Sequence, residues 1–184
     1  MSEASLTSIN VGKGQSARRI AVRMREGAVP GVVWLGGFKS DMKGTKAVAL
    51  DEWAAEAGRA CLRFDYSGHG ESGGAITDGT IGRWLEESAE VFEAFARGPQ
   101  VLVGSSMGGW IALLLAREFR RRTAAGAKSA GSLLSVNSLC LAMNSRYGCP
   151  GGRLRASKMP LAILSVSTST SGARRARVGL PSTA

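Results

Sequence analysis

The sequence predicts an α/β domain with a mostly parallel sheet and helices on both faces. Three observations predict it: apolar runs of strand length alternate with amphipathic helical stretches, the connections are short, and glycine-rich turns follow the strands. This alternation is typical of parallel strands joined by right-handed crossovers. The 184 residues, of which 44% are hydrophobic, suit one domain, or one domain with an appendage. The elements correspond to half of a doubly wound domain.

The first two predicted strands differ in their pattern. Ile20, Val22 and Met24 alternate with smaller or charged residues, which predicts a half-exposed strand near the edge of the sheet. Residues 32–35 form a continuous apolar run, which predicts a central strand buried on both faces.

Two helices and another strand follow. Residues 45–57 carry apolar side chains at helical spacing, and Gly58 is a natural end for that helix. Residues 61–65 predict a strand. Residues 80–97 predict a second helix, which Gly98 and Pro99 end.

Residues 100–116 open as a strand, pass through small residues and close as a helix. Within them, Gly104-Ser105-Ser106-Met107-Gly108 matches G-x-S-x-G, in which a serine sits on a sharp turn between strand and helix. The turn needs glycines because a Cβ two residues either side of the serine would collide with the adjoining elements. The pattern alone leaves open an ordinary turn that happens to carry serines.

Leu35-Gly36-Gly37-Phe38 ends the predicted central strand. Ligands of open α/β sheets bind beyond this edge. We expect the backbone N–H groups of Phe38 and Met107 to face a developing oxyanion there. The alternative is an ordinary turn between a strand and a helix.

The loop Gly68–Gly73 matches the dinucleotide fingerprint G-x-G-x-x-G. We interpret the match as false, because Gly74, Asp78 and Gly79 separate the loop from the next helix, whereas the fingerprint runs directly into one. His69, the single histidine, precedes the serine; we interpret it as a residue that orders the loop, not as a catalytic base.

Taken together, residues 18–118 resemble the α/β-hydrolase superfamily. The loop Phe64–Ser72 and the turn Gly104–Gly109 are similar to those of the acyl-protein thioesterase-like branch, which includes mitochondrial palmitoyl-protein thioesterases and bacterial relatives. The resemblance implies an α/β-hydrolase-type sheet and hydrolysis of a carboxylic ester or thioester through a Ser106 acyl-enzyme. It implies an oxyanion hole from the N–H groups of Phe38 and Met107, and no metal or cofactor.

The chain departs from this family after the serine. The fold normally supplies an Asp or Glu and then a His downstream. Here the only later carboxylate is Glu118, on the helix that follows the serine, and no histidine follows at all. We therefore expect a C-terminally incomplete domain that is inactive or nearly so as written, and its status as an enzyme stays open.

Charge divides the chain in two. All 14 acidic residues lie at or before Glu118, whereas 11 of the 24 Lys and Arg residues follow it. We predict that residues 1–118 are the N-terminal part of the hydrolase domain and that residues 119–184 are a basic, acid-free, poorly ordered tail. Loss of the reading frame near residues 119–133, or a truncated product, explains this better than an evolved tail.

A second hypothesis is a non-catalytic binding protein that keeps an acyl pocket and uses its tail on an acidic partner. Nucleic acid is disfavoured as that partner, because Tyr147 is the only aromatic residue after Phe119. A central strand without a neighbour would leave an exposed sheet edge, through which we expect self-association.

Other features set the expected context. Three cysteines without a C-x-x-C pair, and one histidine, disfavour a disulfide framework or a zinc site. The N-terminus shows no signal pattern, and the longest apolar run, residues 110–116, is too short for a membrane span. We expect a cytoplasmic protein.

Overall fold

A computed structural model describes residues 4–124, 135–139 and 163–167. In these residues seven strands form one sheet in the order β1-β2-β4-β3-β5-β7-β6. The strands are β1 (Ser5–Val11), β2 (Arg18–Arg25), β3 (Ala28–Leu35), β4 (Arg59–Phe64), β5 (Gln100–Gly104), β6 (Ser135–Leu139) and β7 (Ile163–Ser167). The α-helices are α1 (Thr45–Glu56), α2 (Ile81–Phe95) and α3 (Met107–Ala124). The predicted α/β class is confirmed.

The centre of the sheet is parallel, and its strand order positions the site. β3 pairs in parallel with β4 on one side and with β5 on the other. After β3 the chain adds β4 on one side of it, and after β4 it crosses to the other side of β3 to add β5. In such sheets the reversal of strand order opens a crevice at the carboxyl ends of the strands. The turns after β3 and β5 meet at this crevice.

The outer strands are antiparallel, and one of them was not predicted. β2 pairs antiparallel with β4, and β1 pairs antiparallel with β2. The predicted strand near the edge of the sheet is confirmed as β2, next to the outermost strand. Its expected half exposure is wrong, because Ile20, Ala21 and Val22 are fully buried. The outermost strand on this side is β1, which covers the β2 edge.

The strand that was expected to be an open edge has neighbours on both sides. β7 pairs antiparallel with β5 from Gln100 to Val103, opposite β3. The outer strands of the sheet are β1 and β6. Self-association through an exposed edge stays a prediction, but β5 is not that edge.

The predicted boundary after residue 118 falls inside α3. Phe119 is buried, and its ring packs against Phe92 of α2 with centroids 4.8 Å apart. β6 and β7, both from the predicted tail, join the sheet. Residues 125–134, 140–162 and 168–184 of that tail lie outside the described part of the chain, so its predicted poor order stays a prediction.

Helices pack on both faces of the sheet, as expected. α2 and α3 cover one face and share its core with Val33, Leu35 and Leu102. α1 covers the other face, where Ala47 packs with Trp34 and Val103. None of the helices in the described residues combines the length and the apolar character that crossing a bilayer requires.

A buried ion cluster attaches α1 to the sheet. Asp51 of α1 accepts hydrogen bonds from Arg25 of β2 (2.8 and 2.9 Å) and from Arg63 of β4 (3.0 Å). Burial alone would raise the pKa of the Asp51 carboxyl, but the Arg25 hydrogen bonds and the charges of both arginines hold it below its ordinary value of 3.8.

This cluster predicts a specific sensitivity to acid. A carboxyl whose pKa is lowered by folding stabilises the fold above its ordinary pKa and loses that contribution as the pH falls through the lowered value. We expect Asp51→Asn to be less stable than wild type at pH 7 but to lose less stability below about pH 4. Urea unfolding at pH 7 and pH 3 measures this. Glu52 is exposed on the same helix, so Glu52→Gln should lose as much stability between pH 7 and pH 3 as wild type does. If Asp51→Asn also loses as much as wild type, the assignment is contradicted.

Candidate active site

Ser106 occupies the turn between β5 and α3 in an unusual backbone conformation. Its φ is 52°, in the left-handed region that non-glycine residues rarely adopt. The N–H of Gly109 donates to the Ser106 carbonyl at 2.9 Å, which ties the turn to the first turn of α3. The residue itself is exposed at the carboxyl edge of the sheet. The predicted strand-turn-helix context of the serine is confirmed.

The two glycines that flank the serine are required by close backbone contacts. A Cβ on Gly108 would lie 2.0 Å from the Leu35 carbonyl oxygen and 2.4 Å from that of Gly36. A Cβ on Gly104 would lie 2.5 Å from the backbone of Gly108. Real Cβ atoms essentially never come this close, so the predicted steric reason for the glycines is confirmed.

The turn after β3 lies directly against the serine. A Cβ on Gly37 would lie 3.6 Å from the Ser106 Cβ, and the Ser105 N–H donates to the Leu35 carbonyl at 3.1 Å. Phe38 follows Gly37. Met107 is the first residue of α3, where backbone N–H groups have no partner four residues earlier in the helix. Ser106, Phe38 and Met107 therefore meet at one edge; their roles in catalysis stay predictions.

Asp65, at the end of β4, organises the neighbouring loop, and sequence reasoning missed it. Its side chain accepts the N–H groups of Met42 (2.6 Å) and Glu71 (2.8 Å). Burial raises the pKa of Asp65, while these two hydrogen bonds lower it, and the net direction is upward. The available signal was an acidic residue between a buried strand and a glycine-rich loop.

The glycine-rich loop is built around that carboxylate. Gly70 has a φ of 44°, and a Cβ there would lie 2.0 Å from Asp65 Oδ2. The next α-helix begins only at Ile81. Gly70 thus serves the close contact with Asp65. The predicted separation of the loop from the next helix, on which the rejection of a dinucleotide fingerprint rests, is confirmed.

His69 is buried and makes hydrogen bonds with both ring nitrogens. Its Nε2 accepts the backbone N–H of Lys39 at 3.1 Å, and its Nδ1 lies 3.2 Å from the Ser67 carbonyl oxygen. An amide N–H can only donate, so Nε2 is the acceptor and Nδ1 carries the hydrogen. These contacts support the interpretation of His69 as a loop-ordering residue, and its predicted lack of a role as catalytic base stays a prediction.

Lysines line the rim of the site, a feature that sequence reasoning did not identify. Lys46 Nζ lies 3.4 Å from Ser105 Oγ, and Lys39 Nζ lies 5.7 Å from the centre of the Phe38 ring. Lys43 pairs with Glu71 at 3.1 Å and, with Arg23, lowers the pKa of that carboxyl. Lys39 and Lys46 therefore place positive charge beside the turns that carry Phe38 and Ser106.

A cavity of the described residues lies away from Ser106. This cavity of about 520 Å³ opens at the amino ends of the parallel strands, beside Val29, Ala60 and Gln100, at the opposite edge of the sheet. Among the described residues, no cluster of three or more His, Cys, Asp or Glu side chains could hold a metal ion.

Comparison with known proteins identifies the family. A model of the alpha/beta hydrolase family matches residues 29–182. Among curated proteins, the chain is 44% identical over 94 residues to palmitoyl-protein thioesterase ABHD10, mitochondrial, from Homo sapiens, covering 51% of this chain and 31% of that protein. It is 40% identical over 105 residues to the Bos taurus protein of the same name, covering 57% of this chain and 34% of that protein. The chain spans about a third of the length of these relatives.

Two solved structures are similar as well. A putative hydrolase from Agrobacterium vitis S4 superposes with a TM-score of 0.63 at 52% identity, over 65% of this chain and 47% of that one. Alpha/beta hydrolase domain-containing protein 10 from mouse superposes with a TM-score of 0.57 at 36% identity, over 65% of this chain and 46% of that one.

The comparisons confirm the resemblance to the thioesterase-like branch and correct one expectation. The expected cytoplasmic setting is wrong, because the curated relatives are named as mitochondrial proteins. The family match covers well over half of the sequence and includes the turns that carry Phe38 and Ser106. This chain belongs to the alpha/beta hydrolase family.

Proposed function

We propose that the chain carries the nucleophile and the oxyanion donors of a serine hydrolase that acts on a carboxylic ester or thioester. One observation carries the proposal: an exposed serine, held at a φ of 52° between a central strand and a helix, faces the Gly37-Phe38 turn. The relatives that are named palmitoyl-protein thioesterases support a thioester as one substrate class.

The chemistry follows from this arrangement. Ser106 Oγ attacks the acyl carbon, and its proton must leave to a base. The carbonyl oxygen becomes negative and is stabilised by the N–H groups of Phe38 and Met107, each worth about 3–4 kcal/mol in such sites. The bond to the alcohol or thiol then breaks with protonation of the leaving group, and water releases the acid from the acyl-enzyme.

The base is the missing component. His69 Nε2 already accepts the Lys39 N–H, and no histidine follows Ser106 in this sequence. A serine hydroxyl without a base is a weak nucleophile at neutral pH. We therefore propose that acyl transfer by this chain is slower than with a complete triad by roughly 10⁴- to 10⁶-fold.

The test is acylation by p-nitrophenyl acetate, followed by mass spectrometry of the intact protein. We expect wild type to gain one acetyl group slowly, Ser106→Ala to gain none, and the neighbouring control Ser105→Ala to react like wild type. Equal acylation of Ser106→Ala would refute the nucleophile assignment. Steady turnover at ordinary enzyme rates would refute the proposed inactivity.

The reading frame of the tail can be tested separately. Acid-free composition after Glu118 favours a lost frame, whereas the family match through residue 182 weighs against it. Sequencing the DNA across codons 110–184 and translating all frames decides between them. We expect a shifted frame to restore an Asp and a later His. If no frame does so, the tail is genuine, and the binding-protein hypothesis gains support.

A further inference from the structure

We propose that His69 is a positioning residue that fixes the direction of the Phe38 N–H toward Ser106. The proposal rests on the proposed function, since it concerns the same oxyanion site. His69 would not touch the substrate. It would act through the backbone of the turn after β3.

The His69 ring is held from several sides. Its Nδ1–H donates to the Ser67 carbonyl, which also accepts the Trp84 Nε1–H at 3.2 Å. The rings of Phe38, Tyr66 and Trp84 stand edge-on to the imidazole with centroids 5.3–6.1 Å away. Only 5% of the residue is exposed. The direction of the Nε2 lone pair is therefore set by packing as well as by hydrogen bonding.

This lone pair holds a strained turn. Lys39 has a φ of 57°, and such a conformation in a non-glycine residue persists only where its surroundings enforce it. Two hydrogen bonds do so here: the Ser40 N–H donates to the Gly37 carbonyl at 3.1 Å, and the Lys39 N–H donates to His69 Nε2. The second bond fixes the peptide plane between Phe38 and Lys39.

That plane adjoins the proposed donor. The Phe38 N–H belongs to the preceding peptide unit, which shares the Phe38 Cα, and Gly37 lies against Ser106. With the plane on one side fixed by His69 and the other side packed on the serine turn, the Phe38 N–H has little freedom. A displacement of about 1 Å in a catalytic group can reduce a rate by roughly 100-fold.

The first test uses the unmodified protein. The chain has one histidine, so ¹⁵N-histidine labelling gives signals from His69 alone. We expect a neutral ring with hydrogen on Nδ1 and an unprotonated Nε2 that couples to the Lys39 amide. The opposite tautomer would overturn the proposal, because Nε2 could then not accept that amide.

The second test compares His69→Leu with His69→Gln, whose side-chain carbonyl can replace the Nε2 acceptor. In His69→Leu we expect faster hydrogen exchange at the Lys39 amide and a maximal acylation rate about 10- to 100-fold lower, with little change in the concentration for half-maximal rate. His69→Gln should recover most of the protection of the Lys39 amide and most of the acylation rate. Exchange at Val33 and Leu62 reports whether the sheet is intact.

The outcomes separate the two proposals. If wild type is not acylated at Ser106, the proposed function fails, while the tautomer and the Lys39 exchange still test the role of His69. If a folded His69→Leu is acylated as fast as wild type and its Lys39 amide exchanges at the wild-type rate, the positioning role is overturned. If His69→Leu does not fold, the tautomer and His69→Gln decide: in a folded His69→Gln, loss of Lys39 protection together with an unchanged acylation rate would also overturn the positioning role.

Discussion

Replacing Gly108 with alanine is expected to destabilise the protein by about 3 kcal/mol or more. The added Cβ would lie 2.0 Å from the Leu35 carbonyl oxygen, and both groups are backbone, so neither can turn away. Relief requires α3 to move off β3, which opens the core that α3 shares with Leu35 and Leu102. Urea unfolding followed by circular dichroism measures the loss.

Gly82→Ala is the matched control. Gly82 is an exposed helical glycine of α2, and the nearest atom to an added Cβ is Thr80 Oγ1 at 4.0 Å. Alanine there should stabilise the protein by about 0.5–1 kcal/mol, because it restricts the unfolded chain and favours the helix. If both substitutions change the free energy of unfolding by similar amounts, the close contact between α3 and β3 does not restrict the side chain at position 108.

Replacing Glu87 with glutamine is expected to cost about 3–5 kcal/mol. Glu87 is fully buried on α2, where one carboxylate oxygen accepts the Arg18 Nε–H and the other accepts the Ser67 N–H at 2.9 Å. Glutamine keeps the shape but removes the charge that balances a buried guanidinium. It also places an amide NH₂ where only acceptors fit.

The neighbouring carboxylate provides the comparison. Glu86 pairs with the same Arg18, but its side chain is 55% exposed, so Glu86→Gln should cost about 0–1 kcal/mol. Thermal and urea unfolding of both variants at pH 7 give the difference. Equal losses would mean that Arg18 is balanced by the summed charge of the two carboxylates and not by the buried one.

The sequence was most informative where local pattern and burial agree. The central strands β3 and β5 contain continuous apolar runs, and α1 and α2 end at clear stop signals, so the positions of these elements were predictable. The position of β1 was not predictable, because four of the seven residues of Ser5–Val11 are polar and five are exposed. Its structure depends on hydrogen bonds with β2, a contact that no local pattern encodes.

The candidate site divides in the same way. The glycines around Ser106 could be predicted because the motif encodes a steric requirement within five residues. The partners of Asp65 and His69 could not, since Met42 lies 23 residues before Asp65 and Lys39 lies 30 residues before His69. Glu87 was hidden for a further reason: a charged residue on an amphipathic helix is normally assigned to the solvent side, and here its pairing with Arg18 allows burial.

The left-handed Ser106 has a consequence for how this domain can change. A serine in this conformation lowers the stability of the native state by about 1–2 kcal/mol relative to a residue without a side chain. Glycine at position 106 would recover that free energy but remove the only hydroxyl that the turn presents in this way. Stability and the proposed reactivity of Ser106 therefore oppose each other, because a substitution there that increases one decreases the other.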